Sequence, residues 1–196
     1  GQAALAKSAL LAQLGDSPEI NKRRFDLLRK AIIDAADSMV GEVTLADIAK
    51  EEIYRMTKLS KGATAPNLKG MDSRGLPLQL SDMKGKIVVL IFWRSWEKYQ
   101  DVYRVTQKLR ETYRGQAVEV IGVSGDLLTS IREMEKMDQL SGRNFADPYG
   151  KLFQVYRVSD GPVCFVIDEE GKIQYNGSLD SFVDLTVSAL LAPDSK

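Results

Sequence analysis

The sequence predicts an α/β domain preceded by a small all-helical appendage, and three observations carry that expectation. Residues Ile87 to Trp93 are apolar without alternation, as a central strand covered on both faces requires. A helical pattern over about 97–114 and a second apolar strand at 118–123 follow; strand, helix and strand in that order form a parallel pair through a right-handed crossover. Before residue 60 the pattern is helical throughout. At Ser60-Lys61-Gly62-Ala63-Thr64-Ala65-Pro66 it changes through a small, polar linker. The expected organisation is therefore a helical region, 1–61, and an α/β region, 62–196.

Each element has a local reason. Ala3 to Leu14 is a weak first helix. Ser17-Pro18-Glu19 places a hydroxyl at the N-cap, proline at the first helical position and a carboxylate in the first turn, all favourable at a helix start. Phe25, Leu28, Ile32, Ala35 and Met39 then share one face, and Gly41 is the expected stop. Thr44 caps a third helix, with Asp47 three residues on as a variant capping box and Leu45, Ile48, Ala49, Ile53 and Met56 as the buried stripe. Beyond the linker, strands are expected at 68–71 and 76–80, with a capped turn at 81–85 before the central strand. The helix after it directs Tyr99, Val102, Tyr103, Thr106, Leu109 and Tyr113 inward and stops at Gly115. Further helices are expected over 127–140 and from Asp147-Pro148 through Tyr156. Val163 to Ile167 and Lys172 to Tyr175, joined by Asp168-Glu169-Glu170-Gly171, read as a hairpin. A helix over 182–191 closes the chain.

Composition excludes several chemistries. With one cysteine and no histidine there is no Ser-His-Asp or Cys-His machinery, no zinc site built from those two residue types and no intramolecular disulfide. No metal and no cofactor is expected. The 27 basic and 27 acidic residues balance, so the basic excess needed to neutralise phosphates is missing and nucleic acid is not an expected partner. The apolar run at 87–93 is far short of the roughly 20 residues that cross a bilayer. The chain opens Gly1-Gln2 rather than with methionine, as expected of a processed or recombinant form whose targeting signal would not be visible.

The order and text of the α/β region resemble a known family. Ala65-Pro66, Leu78-Gln79-Leu80-Ser81-Asp82-Met83-Lys84-Gly85-Lys86 and the strand Ile87 to Trp93 are similar to the opening of the TlpA-like thiol-disulfide oxidoreductases, within the wider AhpC/TSA group. Val118 to Gly122, Asp147-Pro148-Tyr149-Gly150-Lys151-Leu152, Gly161-Pro162 and Phe165 to Ile173 continue the match in register over roughly 62–192. The resemblance implies a thioredoxin-like fold with a mixed central sheet, a role in redox homeostasis, and export to the periplasm or an equivalent compartment. A cytoplasmic protein could carry the same text.

The resemblance breaks at the reaction centre. The family follows its central strand with Trp-Cys-x-x-Cys, whereas here the text is Trp93-Arg94-Ser95-Trp96-Glu97-Lys98-Tyr99-Gln100. Trp96, Glu97 and Gln100 match the motif positions, with Glu97 and Gln100 in place of the two cysteines. The family chemistry needs a thiolate stabilised at a helix N-terminus and a second thiol to resolve the mixed disulfide. Glutamate and glutamine supply neither, so no catalytic residue is assigned. Glu97 is expected to place its charge at a helix start with Ser95 as N-cap, which is stabilising and chemically silent. Cys164, inside the apolar strand at 163–167, reads as a buried, inert core residue.

Gly161 and Pro162 are the second informative pair. In the resembling family the bond before this proline is cis and the backbone just before it pairs with an extended substrate. Here the pair either keeps a peptide-binding groove or is retained for its turn. Trp96 is a candidate contact residue beside it. Gly122-Val123-Ser124-Gly125-Asp126 lacks a phosphate-loop signature and reads as a loop, Glu169-Glu170 as a solvated turn, and Asn176-Gly177-Ser178 as a turn rather than a glycosylation acceptor.

Three functions follow. The first is a redox-inactive thioredoxin-like domain that binds a protein or peptide partner not identified by the sequence. The second is an oxidoreductase or peroxiredoxin-type protein acting through Cys164 or a partner's thiol. The third assigns partner capture to the N-terminal helices.

Overall fold

A computed structural model describes residues 1–15 and 17–192, and the side chain of Tyr99, expected to point inward, lies outside the described residues. The chain divides into two compact units, Gly1–Lys58 and Leu59–Lys196.

The first unit contains helices α1 (Gln2–Ala12), α2 (Pro18–Ala35) and α3 (Leu45–Lys58), with a two-stranded hairpin, β1 (Met39–Val40) and β2 (Val43–Thr44), between α2 and α3. Ser17 Oγ accepts from Ile20 N at 3.3 Å to start α2. Thr44 Oγ1 accepts from Asp47 N at 3.1 Å and donates to Asp47 Oδ2 at 2.7 Å to start α3. The small side chains Ala4 and Ala31 let the helices approach around Leu45, and Arg24 of α2 pairs with Glu52 of α3.

Two expectations fail in this unit. Helix α2 ends at Ala35, so Met39 belongs to a strand and is 54% exposed rather than completing an apolar stripe. Gly41, expected to stop the helix, instead turns the hairpin with a φ of +64°. Val40, Val43 and Thr44 are β-branched and flank the turn, and such residues favour strand over helix.

The second unit opens with an antiparallel hairpin, β3 (Lys69–Met71) and β4 (Pro77–Gln79), followed by a single 3₁₀ turn at Leu80–Met83. Its main sheet has the order β7-β6-β5-β8-β9, made by β5 (Ile87–Trp93), β6 (Val118–Ser124), β7 (Arg143–Ala146), β8 (Val163–Ile167) and β9 (Ile173–Ser178). Strand β5 is parallel to β6 and antiparallel to β8, β6 is parallel to β7, and β8 is antiparallel to β9. Helices α4 (Tyr99–Thr112), α5 (Leu128–Lys136), α6 (Lys151–Val155) and α7 (Ser181–Leu191) complete the unit.

All seven residues of β5 are buried, and their alternation divides the core. Ile87, Val89, Ile91 and Trp93 join Cys164 and Val166 beneath Val102, Leu109, Val183 and Val187. On the opposite face Phe92 meets Phe153, Tyr156 and Phe165 with ring centroids 5.1–5.9 Å apart.

Strand β7 has no counterpart in the sequence expectations, and two others need correction. The helix expected from Asp147 starts only at Lys151, and Asn176-Gly177 lies inside β9 rather than in a turn. A Cβ on Gly177 would sit 2.7 Å from the Tyr175 hydroxyl, so a larger residue there would have to displace that side chain.

This topology gathers five connecting segments at one end of the sheet. Strands β5, β6, β7 and β9 finish there and β8 begins there, so the segments following Trp93, Ser124, Ala146 and Ser178 converge with the one preceding Val163.

Candidate functional site

The loop between β5 and α4 occupies that end. Helix α4 starts at Tyr99 rather than at Glu97, and Lys98 before it adopts a left-handed conformation with a φ of +47°. Ser95 caps nothing. Its hydroxyl donates to Asp126 Oδ1 at 2.8 Å and its backbone N–H to Asp126 Oδ2 at 3.0 Å, while Ser124 Oγ donates to the same Oδ2 at 2.8 Å. Asp126 is buried and so ties the loop to the end of β6; a buried carboxylate requires this many donors.

Glu97 does more than the sequence indicated. Its Oε2 accepts from Gly161 N at 3.1 Å, and Arg94 Nη1 reaches its two oxygens at 3.2 and 3.4 Å. Arg94 Nη1 also donates to Ser159 O at 3.0 Å, and the guanidinium lies over the Phe153 ring, 4.4 Å from its centroid. Arg94 and Glu97 thus form an ionic latch between the 94–98 loop and the 159–162 loop. The charge is structural through these partners rather than through a helix dipole.

Phe153 is held in turn by Asp147, whose carboxylate accepts from the backbone N–H groups of Lys151, Leu152 and Phe153 at 2.7–2.9 Å. Those are the orphan donors of a helix start, so Asp147 fixes α6 and with it the ring beneath Arg94.

The other sequence candidates separate into two groups. Trp96 is 69% exposed at the outer tip of the loop, and Gln100 is exposed in the first turn of α4. Neither joins the latch. Gly161 is brought to Glu97, and the Gly161–Pro162 bond is cis. Trp93 is buried. Cys164 is fully buried between Ile91 and Gly177; burial, followed by the nearby Asp180 charge, pushes its thiol far above the ordinary range.

Beside the latch lies a cleft of about 690 Å³ between the start of α4, Gly161–Pro162 and the segment 178–184. Among the described residues no group of three or more Asp, Glu, Cys or His side chains could hold a metal ion, and no helix is long and apolar enough to cross a membrane. Arg94, Lys98, Asp126 and Asp147 were not among the sequence candidates. The one local signal was Ser124-Gly125-Asp126 at a strand end, where serine and aspartate commonly bond to nearby backbone.

Comparison with known proteins gives this geometry a context. The model of the AhpC/TSA family matches residues 61–176. The thiol-disulfide oxidoreductase ResA of Bacillus subtilis is 30% identical over 117 residues, 59% of this chain and 65% of its own, so the match spans just under two thirds of that relative. ResA of Geobacillus kaustophilus is 26% identical over 157 residues, covering 79% of this chain and 88% of its own. A solved Chlorobium tepidum protein assigned as the thiol:disulfide interchange protein DsbE superposes with a TM-score of 0.59 at 25% identity, covering 68% of this chain and 99% of its own. The thioredoxin domain of a Bacteroides vulgatus thiol-disulfide oxidoreductase gives 0.60 at 22% identity, covering 69% and 100%, a likeness of fold alone.

Proposed function

The chain belongs to the AhpC/TSA family and has its thioredoxin-like fold, and from that premise we propose a domain without thiol redox activity that captures an extended segment of a protein partner beside Gly161–Pro162. One observation carries the reading: Glu97, where the family motif has its first cysteine, is locked to Gly161 N–H and Arg94, while the sole thiol is enclosed in the sheet. A thiolate nucleophile must be accessible and stabilised in its charged form. Cys164 meets neither condition. The cleft supports the binding part of the reading because it adjoins the same backbone segment and remains open to solvent. Export in the manner of the resembling family belongs to the proposal as well; a reporter fusion of the natural full-length gene tests it.

Insulin-disulfide reduction with dithiothreitol tests the central statement, run on the wild type, Cys164→Ser and the double variant Glu97→Cys, Gln100→Cys. The expected result is no protein-dependent rate for the first two and a gain in the third. Wild-type activity that disappears in Cys164→Ser overturns the proposal and makes the protein an oxidoreductase with a displaced thiol.

A further inference from the structure

We infer that the cleft beside Gly161–Pro162 recognises its occupant by side chains, taking a bulky apolar residue next to a carboxylate, rather than by pairing with its main chain. This rests on the partner-capture reading and adds the chemistry of the captured segment.

The first step concerns backbone donors. An extended segment laid along a strand edge is held mainly by main-chain hydrogen bonds to free N–H and C=O groups. At this edge Gly161 N–H is already committed to Glu97 Oε2 at 3.1 Å, and Pro162 has no N–H to offer. Glu97 does not swing away freely. Its carboxylate is bridged to Arg94, and Arg94 is anchored by Ser159 O and the face of Phe153. Two consecutive positions therefore give an incoming strand no donor.

The second step concerns what the cleft offers instead. Val105, Pro162 and Leu179 give it a partly exposed apolar wall, backed by the core residues Leu109 and Val183, a surface suited to an aliphatic or aromatic side chain. Two of its three lining cations are paired within the chain. Arg104 pairs with Asp101 at 3.0 Å and Lys108 with Asp184 at 3.5 Å. Asp180 keeps its charge and is held at the start of α7 by accepting from Phe182 N at 2.9 Å and from the Tyr175 hydroxyl at 3.4 Å. Lys98 remains, with no ion-pair partner among the described residues. A cation left over at the lip of an apolar cleft complements a carboxylate placed beside the buried residue, and such complementarity sets specificity.

The experiment measures binding of three decapeptides that share a Ser/Ala host and differ only in a central Leu-Glu, Leu-Gln or Leu-Lys, by calorimetry on the full chain at low salt. Leu-Glu should bind about fivefold more tightly than Leu-Gln, the upper range for an exposed ion pair, and Leu-Lys more weakly still. Lys98→Glu should reverse that order, and its binding of Leu-Lys shows that the variant is folded. Glu97→Ala, which releases Gly161 N–H, should bind all three more tightly and discriminate less. Equal affinity of the three for the wild type overturns the side-chain inference and leaves partner capture standing. Binding of none overturns both.

Discussion

Removing the Glu97 carboxylate tests whether the latch holds the two loops. In Glu97→Ala, Gly161 N–H loses a charged acceptor at 3.1 Å and Arg94 loses its carboxylate. A hydrogen bond to a charged group is worth about 1.5–3 kcal/mol, and an ion pair in water about 0.2–1 kcal/mol. With side-chain exposures of 19% for Arg94 and 24% for Glu97, the pair is shielded but not dry. Arg94 also keeps Ser159 O and the Phe153 ring after the substitution. The expected loss is about 2 kcal/mol, which in a unit of this size lowers Tm by roughly 4–8 °C. Glu97→Gln keeps an acceptor for Gly161 but not the charge, and should lose about half as much. Urea unfolding followed by tryptophan fluorescence is the appropriate assay, because Trp93 and Trp96 both report on the second unit. An Arg94→Ala, Glu97→Ala double-mutant cycle should give a coupling of about 1 kcal/mol. A Glu97→Ala loss under about 0.3 kcal/mol, within the range of ordinary surface substitutions, would refute the latch.

Three further outcomes follow from other contacts of the second unit. Cys164 should react with a thiol reagent in native protein only at the rate of unfolding, since it is fully buried; fast second-order labelling would contradict that burial. Asp147→Ala should cost about 2–3 kcal/mol because it strips three N–H groups of their acceptor, and Asp147→Asn should cost less; equal, small losses would show that α6 is held otherwise. For Asp72, burial acts to raise the carboxyl pKa, but bonds from Leu76 N, Arg143 and Arg74 N outweigh it and hold the carboxyl below the ordinary aspartate value. A lowered folded pKa means stability that is present above the ordinary value and is lost as pH falls through the lowered one. Asp72→Asn should therefore flatten the acid side of the stability curve, and an unchanged acid slope would remove Asp72 from that account.

The sequence was legible where burial alone decides structure. Strands β5 and β8 occupy Ile87–Trp93 and Val163–Ile167 as expected, because a run covered on both faces leaves no alternative period. Strand β7 was not legible: Arg143, Asn144, Phe145 and Ala146 form a short edge whose text carries no apolar alternation, and its burial comes from pairing with β6. The start of α4 misled for a different reason. Ser95 and Glu97 look like a cap and a first-turn acid, but Asp126 takes the serine and Gly161 takes the glutamate. Both partners are more than thirty residues away, and no local pattern registers such contacts. The glutamate and glutamine at the motif positions were visible in the text, whereas the latch that Glu97 forms with Arg94 and Gly161 was visible only in three dimensions.

Lys98 offers a way to separate what the site does for stability from what it does for binding. Its φ of +47° costs a residue with a Cβ about 1–2 kcal/mol, whereas glycine adopts that conformation without clash but loses about 0.5–1 kcal/mol more chain entropy on folding. Lys98→Gly should therefore gain about 0.5 kcal/mol, or roughly 1–2 °C in Tm. It removes the cation that the cleft leaves unpaired, so preference for the Leu-Glu peptide over Leu-Gln should vanish in the same variant. A more stable protein that no longer discriminates is the trade-off expected of a strained binding position. Discrimination that survives in Lys98→Gly would assign it to some other charge and remove the reason for tolerating the strain, and a variant less stable than wild type would show that no strain is stored there.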